Sequence, residues 1–132
     1  MSKIVDWAVD TFVNFNSGSA IRKKVNDMVY QYMDCIIWNF HGNTIAKRNI
    51  KDDTVMMTLC GWPTKSTMDR LNTLCQKLGI KGYPFRGYVM ITNQKNRDGI
   101  SKATFCGNPI GDTEEIVIKL SDIDTGVYNY EQ

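Results

Sequence analysis

The sequence has one histidine, His41, and four cysteines, Cys35, Cys60, Cys75 and Cys106, none spaced as a CxxC pair. A zinc centre would need that histidine to converge with three scattered thiols, so no metal site is expected. GxSxG, HExxH and Walker spacings are missing as well, which removes the commonest hydrolase and phosphate-loop chemistries. The paired acids Asp52-Asp53 and Glu114-Glu115 fall at turns or a strand start, where solvated charge is the default. The chain is therefore not expected to be an enzyme or to carry a cofactor. No apolar run approaches the ~20 residues of a membrane span. The opening MSKIVDWAVD carries Asp6 and Asp10, unlike a signal or transit peptide, and unclustered cysteines beside seven methionines indicate a reducing compartment. These absences together predict a soluble cytoplasmic protein.

What is present is a globular composition: 132 residues, 42% hydrophobic and 23% charged, enough for one domain spanning 1–132. The net charge of +2 conceals a polarity along the chain. Residues 111–132 hold Lys119 against six acids, Asp112, Glu114, Glu115, Asp122, Asp124 and Glu131. The first 110 residues hold fifteen bases and eight acids, a net of +7. That asymmetry suggests an anionic ligand on the basic part, or an acidic tail at 122–132 docking on a basic face or exchanged between chains.

Helical periodicity predicts a first helix over about 3–15, from Ile4, Val5, Ala8, Phe12 and Phe15. NSGS at 16–19 breaks it. A second helix is expected over about 20–33, with Ile21, Val25, Met28, Val29 and Tyr32 on one stripe. Strict alternation then takes over: Ile36, Trp38 and Phe40 against Cys35, Ile37 and Asn39, with Gly42-Asn43 as the turn of a hairpin. A third strand follows at 54–60. Pro63 marks the entry of a further helix with Ser66 and Asp69 at capping-box spacing, Met68, Leu71, Leu74, Cys75 and Leu78 as its buried face, and Gly79-Ile80 as a Schellman stop. Strands are expected at 83–92, 99–106 and 114–121, joined by the loops NQKNRDG and GNPIGDT. The fold class is α+β: two N-terminal helices and an antiparallel sheet with one further helix packed on it.

One local conflict points to function. If Ser19 caps the second helix, Arg22, Lys23 and Lys24 lie in its first turn, where the macrodipole disfavours cations. Ser17, Gly18, Ser19, free backbone N–H groups and three cations would make a phosphate seat, with a solvated basic helix face as the competing reading. A second cluster lies in YPFRGYVMITNQKNR. There Tyr83 or Phe85 would stack on a base, while Arg86, Asn93 and Arg97 would complete the polar contacts. The candidate ligand-binding set is Ser17, Ser19, Arg22, Lys23, Lys24, Tyr83, Phe85, Arg86, Asn93 and Arg97.

Two stretches carry a resemblance. The run His41-Gly42-Asn43-Thr44-Ile45-Ala46, then Gly61-Trp62, then Thr64, Thr67, Arg70, Leu71 and Asn72, is similar to small accessory proteins of tailed bacteriophages. With the helical N-terminus and MDCIIWNFHGN, the chain most resembles the first type of phage anti-Thoeris sponge proteins. The resemblance implies a non-enzymatic binder that sequesters a cyclic ADP-ribose isomer, and in some members cyclic oligonucleotides. It also implies a homo-oligomer, dimer or hexamer, acting in the host cell cytoplasm. Two rivals stand beside it: an inhibitor that binds a host defence protein directly, and a nucleic-acid binder using the +7 portion. The latter predicts affinity that falls steeply with salt.

Overall fold

The computed structural model describes residues 3–90 and 100–125. Its elements are α1 (Lys3–Asn14), β1 (Arg22–Lys24), β2 (Asp27–Tyr32), β3 (Cys35–Phe40), β4 (Asn43–Asn49), β5 (Thr54–Met57), α2 (Lys65–Leu78), β6 (Phe85–Met90), β7 (Ile100–Phe105), β8 (Asn108–Ile110) and β9 (Ile116–Lys119). A 3₁₀ turn follows over Leu120–Thr125. The class is α+β, with a six-stranded antiparallel sheet in the order β1-β2-β3-β4-β5-β9 and a three-stranded sheet β6-β7-β8.

Only one helix lies at the N-terminus. The segment expected as a second helix is the hairpin β1–β2, paired Arg22 to Val29 and Lys24 to Asp27. The apparent helical stripe was misleading because Ile21, Val25 and Tyr32 are exposed, at 64%, 72% and 63%. The true period is two: Asp27 and Val29 turn into the core, while Met28, Tyr30 and Tyr32 face the other way. A fully buried acid at Asp27 masks that alternation, since a carboxylate at a core position reads as a polar break. Arg22, Lys23 and Lys24 thus form an exposed edge strand, where cations discourage pairing with another chain. The conflict with the helix dipole disappears with the helix.

Other boundaries move by a residue or two. The β3–β4 loop is His41-Gly42, closed by the Phe40–Asn43 pair. Both loop residues have positive φ, 52° and 78°, as a type I′ turn requires. The strand expected at 54–60 ends at Met57. The cap of α2 is Thr64, whose hydroxyl accepts from the Thr67 N–H at 3.3 Å. Asp69, expected in a capping box, instead accepts from Lys65 one turn earlier. The predicted stop is present: Gly79 has φ 104° and the Ile80 N–H reaches the Cys75 carbonyl at 2.8 Å. The short strand β8 lies inside GNPIGDT, which read as loop.

The two helices pack on one face of the large sheet around Val9, Phe12, Ile36, Trp38, Met57, Leu71 and Leu74. Nothing basic lies in the last turn of α1. Arg48 reaches across from β4 and donates to the Phe12 and Phe15 carbonyls at 3.2 and 2.9 Å. It thereby supplies the cation that a helix C-terminus favours. Asn72 joins the second sheet to α2, because its side-chain amide bonds both the N–H and the carbonyl of Phe85 at 2.8 and 2.9 Å. A strand edge is thus met by a side chain that imitates another strand.

At the centre, Asp27 accepts from Arg70 Nε and a terminal guanidinium nitrogen, each at 2.8 Å, and from Trp38 Nε1 at 2.9 Å. Removing one member of such a pair leaves a bare buried charge, so Arg70→Met should cost about 3–5 kcal/mol in urea denaturation. Adding Asp27→Asn, which keeps an acceptor for Trp38, should recover much of that loss. Arg48→Met should cost about 1–3 kcal/mol by leaving buried carbonyls without a donor.

Candidate functional site

His41, Asn43, Ile45, Trp62, Thr64 and Thr67, from the phage-like motifs, line a cavity of about 410 Å³. Phe40, His41, Asn43 and Ile45 come from β3, its turn and β4; Leu59, Cys60 and Trp62 come from the connection after β5; Thr64, Ser66 and Thr67 come from the start of α2. The floor is apolar, since Ile45, Leu59 and Phe40 are buried. The rim is aromatic. Trp62 is 60% exposed, and the His41 ring lies 4.3 Å from that of Phe40 with the planes tilted by 53°. One wall is polar, built from Thr64, Ser66 and Thr67 hydroxyls and the first turn of a fourteen-residue helix with no acid in that turn. Among the described residues, no carboxylate lines the cavity.

The central ion pair sets these walls. Arg70 Cζ stacks 3.7 Å from the centre of the Phe40 ring, and another guanidinium nitrogen donates to the Ser66 carbonyl at 3.2 Å. One arginine therefore holds the β3 side and the α2 side from behind. This accounts for the motif Thr64, Thr67, Arg70, Leu71, Asn72 in structural terms: a cap pair, the Asp27 partner, a core leucine and the clamp on β6.

Of the predicted ligand residues, the described ones (Ser17, Ser19, Arg22, Lys23, Lys24, Tyr83, Phe85 and Arg86) do not line this cavity. Ser17 and Ser19 belong to the loop before β1. There the Gly18 N–H donates to Gln31 Oε1 at 2.7 Å, so a side chain already takes one of the amides assigned to a phosphate. Arg22 and Lys24 alternate onto the α1 side and lie 5.9 and 5.7 Å from the Trp7 ring, which gives them an internal aromatic partner. Phe85 is 2% exposed and packs on Phe105, so it cannot receive a base. Tyr83 is exposed, and Arg86 donates to its carbonyl at 3.3 Å. Asn93 and Arg97 lie outside the described residues. Trp62, His41 and the start of α2, which line the cavity, were not in the predicted set. Their signal was the HGN and GW motifs, legible as a resemblance before any pocket was known.

A second cavity of about 310 Å³ opens on the opposite face of the large sheet, lined by Ile37, Thr44, Lys47, Met56, Thr58, Cys60, Thr113 and Glu115. Cys60 borders both cavities.

The family model for the Kyanoviridae Gp96 protein matches residues 1–108. The chain belongs to that family, a phage protein family. No curated protein and no solved structure matches it. The Gp96 match contains every residue of the first cavity, whereas Thr113 and Glu115 of the second lie beyond it. Among the described residues, no helix is long and apolar enough to cross a membrane, and no cluster of three metal-ligating side chains occurs.

The thiols differ in environment. Burial pushes the Cys75 thiol far above its ordinary range, with Cys106 adding to the effect, and burial raises Cys106 as well. Cys75 therefore stays protonated in the fold while its unfolded counterpart ionises near pH ~8.5. Its contribution to stability is whole below that pH and falls as pH rises above it. Denaturation at pH 7 and at higher pH should show this loss, and Cys75→Ser should reduce it. Disulfide-exchange labelling should reach half-exposed Cys35 and Cys60 first and Cys75 only on unfolding.

Proposed function

We propose that this phage protein binds and sequesters a cyclic signalling nucleotide, a cyclic ADP-ribose isomer or a cyclic oligonucleotide, without cleaving it. We place the ligand in the first cavity, not on the basic edge strand. The observation that carries the reading is the pairing, across one cavity, of aromatic surfaces with the acid-free N-terminal turn of α2. A purine stacks on Trp62 or His41 above an apolar floor. A phosphate takes the hydroxyls of Thr64 and Ser66 and the N–H groups that a first helical turn leaves without intrahelical partners. Sequestration needs tight, pre-organised contacts and no chemistry, and the buried Arg70 brace supplies rigidity. Anti-defence action of this kind takes place in the host cytoplasm, and assembly into a dimer or hexamer belongs to the same proposal. A second reading, direct binding of a host defence protein, is favoured by the exposed Ile21, Val25, Tyr32 and Met33 around the β1–β2 hairpin.

A thermal-shift screen against cyclic ADP-ribose isomers, cyclic di- and trinucleotides and linear controls tests the reading, with mass spectrometry of the recovered ligand. Binding at ~100 times Kd should add about 2.7 kcal/mol, and the ligand should return intact. Trp62→Ala should weaken binding by about 1–3 kcal/mol, roughly 5- to 150-fold. Ser66→Asp should abolish binding while leaving the fold as stable or slightly more so, because a carboxylate suits a helix start and repels a phosphate. No shift with any nucleotide would sink the proposal in favour of the host-protein reading, and a cleaved product would make the protein an enzyme.

A further inference from the structure

The second cavity poses a separate electrostatic problem. Lys47 sits in the middle of the large sheet, on the face away from the helices, with Ile37 and Met56 as its cross-strand neighbours. Both neighbours are only 8% exposed, so the ammonium emerges from an apolar surface. Among the described residues Lys47 has no ion-pair partner. Glu115 lines the same cavity and has none either, so the two charges face a shared space without neutralising each other. Two of the hydroxyls in the lining are differently committed. Thr44 donates to Asn39 Oδ1 at 2.7 Å and keeps acceptor capacity, while Thr58 accepts from the Cys60 N–H at 3.1 Å and keeps its proton to donate. The far wall is the β8–β9 connection, fixed by the Gly61 N–H donating to the Asp112 carbonyl at 2.8 Å.

We infer that this cavity is a binding site for a small zwitterion, an amino-acid-like molecule with an apolar body. Its carboxylate meets Lys47, its ammonium meets Glu115, and its carbon chain lies on Ile37 and Met56. Neither end alone suffices, since a lone anion leaves Glu115 facing it across the cavity and a lone cation meets Lys47 in the same way. The same reasoning excludes phosphate-rich ligands here and makes this site chemically distinct from the first cavity.

The test is a titration of the whole protein followed by amide proton–nitrogen correlation spectra. The probes are L-norvaline, whose charges are adjacent, and δ-aminovaleric acid, whose charges are separated; valerate and pentylamine are single-charge controls. One zwitterion should shift the amides of Thr44, Lys47, Thr58 and Glu115 saturably, at least about tenfold more tightly than either control. Lys47→Met and Glu115→Gln should each remove that preference in a folded protein, and the first cavity's amides should not follow it. The inference is overturned if valerate binds as tightly as the zwitterions, if Lys47→Met retains the preference, or if no probe gives saturable shifts up to ~20 mM.

Discussion

Asp27 has no surface exposed to water, and the architecture is arranged around how its charge is met. Arg70 answers it with two charge-assisted hydrogen bonds and Trp38 with a third. A buried ion pair contributes little net stability against an apolar alternative, because desolvation offsets most of the attraction. What it does impose is geometry. The guanidinium is planar, so fixing two of its nitrogens on Asp27 fixes where its face and its remaining nitrogen point. The face lies against Phe40 and the nitrogen against the Ser66 carbonyl. The β2 strand, the β3 strand and the first turn of α2 are thereby held in one register, and the cavity between the last two takes its shape from that.

This arrangement relates the motif residues to one another. Thr64 and Thr67 cap α2 and face the cavity, Arg70 braces it, and Asn72 holds the three-stranded sheet by imitating a strand edge. Such bracing suits the proposed role of holding a ligand unchanged, since side chains already locked by packing lose little entropy on association. The exposed aromatic at the cavity, Trp62, is the exception, and the proposed stacking of a planar group rests on it. The two cavities lie on opposite faces of one sheet and differ in chemistry. Among the described residues, one is lined by aromatic rings and no acid; the other sets a cation and an anion apart over an apolar floor.

Much of the secondary structure was legible. α1, α2 with its glycine stop, and the β3–β4 hairpin follow from periodicity and turn chemistry that depend on neighbours in sequence. The hairpin β1–β2 was not, for a specific reason: Asp27 occupies a core position, and its neutralising partner lies 43 residues away. Local reading therefore followed a spurious helical stripe through Ile21 and Val25. The error propagated, because the anion seat assigned to Ser17, Ser19, Arg22, Lys23 and Lys24 required a helix start that does not exist. Phe85 failed differently. It lies in an expected strand, but which face of β6 is covered depends on α2 and β7.

The sequence alone determined the α+β class, the boundaries of both helices to within a residue or two, and the phage character carried by the HGN and GW motifs. These rest on patterns a few residues long, where each side chain's preference is set by its own backbone and close neighbours. The tertiary structure decided where the cavities lie. A cavity is a property of surfaces brought together from β3, β4, the connection after β5 and α2, and its polarity depends on which charges are buried and which are left facing it. Neither quantity exists until the chain has closed on Asp27 and Arg70.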